Sequence, residues 1–144
     1  MLIGIDPILS PDLLHGLRAM GHGDTLVIAD GNFPAASVAE RLVNMEAADL
    51  RRALKAILSV LPIDEHEPDP VIGMAVIGDP AQNMPAYDII RSEVAAVNAR
   101  VSLTLIERYA FYEQARNAFL VVATGEPLFY GNVIIRKGTI AAGG

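Results

Sequence analysis

Five short apolar runs constrain this chain most: "TLVIA" from residue 25, "VIGMAVI" from 71, "VSLTLI" from 101, "FLVVAT" from 119 and "NVIIRK" from 132. Each is short, rich in β-favouring residues and reads as a strand; the first two, apolar throughout, read as strands covered on both faces. Helical patterns stand between them. Ser10 before Pro11 is a helix start, because serine caps free N–H groups and proline fits the first helical position. Leu13, Leu14, Leu17 and Met20 then recur at helical spacing, and Gly21 is placed to stop the run. Leu50, Leu54, Ile57, Leu58 and Leu61 stripe residues 46 to 61, and Pro62 ends that pattern. Tyr87, Ile90, Val94 and Val97 form a third stripe, and "YAFYEQARNA" a fourth helix. Strands alternating with helices predict an α/β fold, one domain over residues 1–144, with helices flanking a parallel or mixed sheet.

The composition adds a second constraint. Of 144 residues 52% are hydrophobic and 19% charged, and the mean hydropathy is +0.36, more apolar than an average soluble domain. No run approaches the roughly 18 apolar residues that a membrane helix needs. The excess apolar surface is therefore expected in a subunit interface, making a homo-oligomer. With no cysteine there is no disulfide, thiolate metal site or cysteine nucleophile. "MLIGIDPILSPDLL" lacks a basic segment, carries Asp6 and meets proline twice, so it does not read as a secretory signal and a cytoplasmic location is expected. A net charge of −6 without a basic stripe argues against nucleic acid or an anionic membrane as partner. A neutral or cationic small molecule fits better.

The chemistry must come from single residues. "GHGD" has the glycines of half a dinucleotide fingerprint, but it follows a helix and precedes a strand, the reverse of the order that brings a helix N-terminus to a pyrophosphate. No phosphate-binding loop, G-x-S-x-G elbow or zinc-helix motif occurs. His22 lies in a helix-to-strand turn between two glycines, which leave its ring little cover; it is either a solvated turn residue or an imidazole at the mouth of a cavity, where it can trade protons near neutral pH. Asp30 ends a buried strand, a ligand-binding position in α/β folds and equally a turn initiator. "YGN" offers Tyr130 and Asn132 as hydrogen-bonding groups, or is a hairpin turn. His66, in "DEHEPD", suits a cation less than it suits a solvated acidic loop. His15 falls at the rim of the first stripe, and Arg136 and Lys137 read as a strand end meeting water.

Taken together, "SPDLLHGLRAMGHGD", "IADGNFPA" and "ERYAFYEQARNAFLVVATGEPLFYGNVIIRKG" resemble the RbsD/FucU sugar mutarotase family, in its L-fucose branch. The detailed likeness covers roughly the first and last quarters of the chain. It implies an enzyme without cofactor or metal that interconverts the α and β anomers of a reducing monosaccharide, assembled as a pentameric ring or decamer with sites near subunit interfaces. On these motifs His22 matches the catalytic histidine, and Asp30, Arg108, Tyr130 and Asn132 match substrate-binding positions. The ribose branch carries histidine where this chain has Arg108, which points away from a pyranose–furanose isomerase; a sugar-binding accessory protein is the other alternative. Where bacterial fucose members read "DAHFPA", this chain reads "DGNFPA", with Gly31 and Asn32 in place of alanine and histidine. The departure bears on which sugar is preferred.

A geometric consequence follows from the strand itself. At about 3.3 Å per residue, a straight "TLVIA" puts His22 and Asp30 on the order of 20 Å apart. Either the Gly21–Gly23 turn folds the imidazole back over the sheet, or residues from neighbouring subunits complete each site; the composite site is the expectation.

Overall fold

The computed structural model describes residues 1–144. Its elements are α1 (Pro11–Ala19), β1 (Thr25–Ala29), α2 (Ala35–Val38), β2 (Leu42–Met45), α3 (Leu50–Leu58), β3 (Val71–Met74), α4 (Pro85–Val97), β4 (Leu103–Ile106), α5 (Arg108–Arg116), β5 (Leu120–Thr124) and β6 (Val133–Arg136). The six strands form one sheet in the order β2-β5-β1-β6-β3-β4. All neighbours run parallel except β6, which is antiparallel to both β1 and β3. The expected mixed sheet is therefore present, with a single reversed strand at its middle.

Alternation along β1 divides the core. Leu26 and Ile28 point into a cluster with Leu13 and Leu17 of α1, Leu50, Leu54 and Ile57 of α3, and Ile90 and Val94 of α4. Val27 and Ala29 point the other way, against Val38 of α2 and Phe111 and Ala115 of α5. Both faces of β1 are thus dry, as its unbroken apolar run requires. Each fully buried leucine or isoleucine contributes roughly 1.5–3 kcal/mol of transfer free energy.

The start signals worked as written. Ser10 caps α1 by accepting from Leu13 N, with Pro11 at the first position, an arrangement that contributes about 1 kcal/mol. Other details differ from the pattern. The helix ends at Ala19 with Met20 extended, and the left-handed residue is Gly23 at φ +88°, not Gly21. The stripe over 46 to 61 forms a shorter helix, because Asp49 caps it by accepting from Arg52 N and thereby sets its start. Val97 closes α4 but is exposed, as is His15. Strand β2 and the one-turn α2 fall outside the patterns read from the sequence; β2 is an edge strand with Leu42 exposed and only Met45 buried. The "YGN" segment is no hairpin, since β5 and β6 lie on opposite sides of β1.

Candidate active site

Strand β6 has two ends, and each gathers a different set of side chains. Its C-terminal end is wedged between segments far apart in sequence. On one side Gly23 N donates to Lys137 O at 2.9 Å and Lys137 N donates to Asp24 O at 2.9 Å. On the other, Asp64 N donates to Arg136 O at 3.0 Å and Ile63 bridges to Lys137. His22 and Asp64 are thereby brought together. The His22 turn is closed by Gly21 N donating to Asp24 Oδ2 at 2.7 Å, and Gly23 takes the left-handed angle that a side chain resists.

His22 Nε2 lies 3.3 Å from Asp64 Oδ1, with the imidazole side chain 47% exposed and the carboxylate 1%. The same oxygen accepts from His66 N at 3.0 Å, and Oδ2 accepts from Arg136 Nε at 2.9 Å. The bond from His66 N, aided by Arg136 and His22 and opposed by burial, holds the Asp64 carboxyl below the usual carboxylate range. The His66 ring stands edge-on to His22, centroids 5.8 Å apart. Residues Asp64 to Pro70, with Arg100 to Ser102 and Thr104, line an adjoining cavity of about 570 Å³. Arg136 and Lys137 do not simply meet water: Arg136 reaches Asp64, and Lys137 Nζ donates to Leu17 O and Met20 O, closing the end of α1.

The N-terminal end of β6 holds the other sequence-predicted residues. Antiparallel register, with Ile28 opposite Val133, puts Asp30 against Gly131 and Asn132. Asp30 N donates to Asn132 Oδ1 at 2.8 Å, while Asn132 Nδ2 donates back to Asp30 Oδ2 at 3.1 Å. The carboxylate also accepts from Asn32 N, Phe33 N and Gly131 N. Burial pushes the Asp30 carboxyl up from its ordinary value, against the pull of these bonds. The aspartate is therefore both turn initiator and organiser of the "YGN" loop. Gly131 packs tightly there: a Cβ would stand 3.0 Å from Glu126 Cγ and 3.2 Å from Asp30 Cβ, so these neighbours would have to shift.

Tyr130 adopts a left-handed φ of +59°, and its hydroxyl accepts from Ile77 N at 3.2 Å. Arg108 opens α5 behind the capping Glu107. Its Nη2 donates to Tyr109 OH at 2.8 Å and its guanidinium carbon sits 4.6 Å from that ring's centroid. Its Nε is buried without a partner, a donor that a ligand oxygen would satisfy. Residues 75 to 78, Pro80, Leu105 and Glu107 to Tyr109 enclose about 360 Å³ beside it. These groups follow the carboxyl ends of β1, β3 and β4, where open parallel sheets bind ligands.

The fold brings Asp30, Tyr130, Asn132 and Arg108 to one end of the strands and leaves His22 at the opposite end. Asp64 and Arg136 are the residues that sequence reasoning missed. Asp64, the partner of His22, and Arg136, the partner of Asp64, each lie far along the chain from the group they meet, so only strand pairing reveals them.

The chain matches the model of the RbsD / FucU transport protein family over residues 3–140. It is 37% identical to the fucose mutarotase of Mus musculus over 148 residues, covering 99% of this chain and 97% of the mouse protein. The fold superposes on FucU from Bifidobacterium longum with a TM-score of 0.91 at 40% identity, over 96% of this chain and 99% of that one. It likewise superposes on the fucose mutarotase from Streptococcus pneumoniae solved with L-fucose, TM-score 0.90 at 32% identity, over 97% and 100%. Sequence and fold agree over nearly the whole length, and the chain belongs to the RbsD / FucU family.

Proposed function

We propose that this protein is a sugar mutarotase that interconverts the α and β anomers of L-fucose or a related reducing monosaccharide. The observation that carries the reading is His22: an exposed imidazole whose Nε2 is held by a buried carboxylate. Ring opening takes one proton from the anomeric hydroxyl as its oxygen becomes the carbonyl, breaks the bond from the anomeric carbon to the ring oxygen, and gives one proton to that oxygen. After the new carbonyl rotates, closure reverses both transfers. An imidazole serves as acid or base near neutral pH, and such groups contribute about 10²–10⁴-fold in rate. Besides these proton transfers the reaction breaks and re-forms one C–O bond with no change of oxidation state, so neither cofactor nor metal is called for. Asp30 and Asn132 would shape the sugar pocket, Arg108 would hold hydroxyls with its donor fork, and Tyr130 would fix orientation. The names of the mouse and Streptococcus pneumoniae relatives support L-fucose as the substrate.

Because His22 and the sugar-binding edge are at opposite ends of the strands, the same proposal makes each site composite: one subunit supplies His22 and its neighbour supplies Asp30, Arg108, Tyr130 and Asn132. Exposed Ile77, Tyr109 and Phe129 rim the sugar-binding edge, the apolar cover that a second copy would bury. A pentameric ring or decamer in the cytoplasm, one domain per chain, completes the reading.

The test is NMR saturation transfer between the anomers of L-fucose, with wild type beside His22→Ala. Fast exchange that falls at least about 10²-fold in the folded variant is expected. A folded His22→Ala variant that exchanges anomers at the wild-type rate ends the proposal.

A further inference from the structure

Arg136 has no part in the proton transfers above, yet it is tied to their centre. Its Nε donates to Asp64 Oδ2 at 2.9 Å and its Nη2 to Pro68 O at 2.7 Å, so one guanidinium ties Asp64 to Pro68 across the 64–70 loop. The Asp64 side chain is 1% exposed and that of Arg136 21%. When His22 is neutral, Arg136 is the only full charge that compensates this desolvated carboxylate, and a buried carboxylate without a partner tends to take up a proton.

The charge state of Asp64 decides which imidazole nitrogen can act. An ionised carboxylate only accepts hydrogen bonds, so it requires the proton of neutral His22 on Nε2. The lone pair then lies on Nδ1, which makes no hydrogen bond within the chain. A protonated Asp64 could donate instead, and the opposite tautomer would compete. We propose that Arg136 is a positioning residue for His22: by holding Asp64 ionised and its loop in place, it selects the tautomer in which Nδ1 takes and returns the sugar proton. This rests on the reading of His22 as the proton carrier.

The neighbouring groups offer no substitute for Arg136. His66 lies edge-on to His22, Asp24 is engaged by Gly21 N, Lys137 is committed to the carbonyls of α1, and Glu65 pairs with Arg100. Removing the guanidinium favours protonated Asp64 and also favours imidazolium at His22. Both changes reduce the population of neutral, correctly oriented imidazole at a given pH, so both move the acid limb of the pH–rate profile upward.

The experiment follows anomer exchange against pH in wild type, Arg136→Gln and Arg136→Lys, together with ¹⁵N spectra of the His22 ring in the sugar-free oligomer. In folded Arg136→Gln the acid limb is expected to rise by about one pH unit, a tenfold loss on that limb. Nδ1–H signal should appear, and lysine should restore most of both properties. An unchanged limb and unchanged ring spectrum in folded Arg136→Gln overturn the proposal. So does a wild-type spectrum with the neutral proton on Nδ1, which needs no variant to fold. If wild type exchanges no sugar, the mutarotase reading fails separately, while the ring spectra still decide whether Arg136 sets the tautomer.

Discussion

The two ends of β6 stabilise a buried aspartate in opposite ways. At the C-terminal end Asp64 is paired with a guanidinium and an imidazole. At the N-terminal end Asp30 accepts four hydrogen bonds from neutral N–H groups and touches no cation. At Asp64 the bond from His66 N, joined by Arg136 and His22, outweighs burial and lowers the carboxyl's pKa; at Asp30 burial dominates and the pKa rises. An ion pair beside a half-exposed imidazole suits proton transfer. A dipole-lined aspartate that cross-links two loops suits the rigid wall of a binding pocket. The comparison teaches that the two halves of one proposed reaction are built at opposite ends of the strands of one sheet, which is why the proposed site draws on two subunits.

The largest expected effect comes from asking whether two subunits do so. His22→Ala should lose at least about 10²-fold in anomer exchange, and Arg108→Ala about tenfold or more, the value of a hydrogen bond to a charged group. If each site takes His22 from one subunit and Arg108 from its neighbour, mixing the two variants by dissociation and reassembly restores about a quarter of the sites to wild type. Activity above that of both parents would be read by the same saturation transfer. Confirmed mixed oligomers no more active than the average of the two parents would remove the division of labour between the edges.

The next effect is on stability. Asp30→Ala would orphan Gly131 N, Asn32 N and Asn132 Nδ2, at about 1–3 kcal/mol for each donor that stays dry, while Phe33 N keeps its bond to the carbonyl of residue 30. Asp64→Ala leaves Arg136 partly exposed to water and able to rehydrate, so it should cost less. Urea midpoints at neutral pH measure the difference. Equal losses at the two positions would mean that charge pairing holds the C-terminal edge as firmly as the hydrogen-bonded network holds the other.

The sequence made one edge far more legible than the other. Asp30 directly follows "TLVIA" and Asn132 begins "NVIIRK", so an apolar run beside each polar residue marks a strand end. Asp64 begins a proline-bounded acidic segment that resembles a solvated loop, and only its pairing with β6 buries it. Arg136 looks like a basic strand terminus until that same pairing gives it a carboxylate. The α/β class, Ser10 cap and β1 were readable because local propensity and burial agree there. β2 was not, because an edge strand exposes the face that would have carried the pattern. Local patterns marked the strand ends and left unseen what packs across them.

The smallest effect is also the one that distinguishes the aspartates most directly, by the sign of its pH dependence. In the unfolded chain both titrate near the ordinary aspartate value, about 3.9. The folded value of Asp64 lies lower, so the unfolded state binds more protons as pH falls through that window, and stability from Asp64 present above it is lost. The folded value of Asp30 lies higher, so the native state binds the proton first; its contribution grows on acidification and declines as pH rises through the window between the two values. Asp64→Asn should therefore flatten the loss of stability between neutral pH and about pH 3, and Asp30→Asn should steepen it. Urea midpoints of both variants at the two pH values read the two slopes, each relative to wild type. If both variants steepened the loss, burial would govern both carboxylates; if both flattened it, their hydrogen-bond and ion-pair partners would.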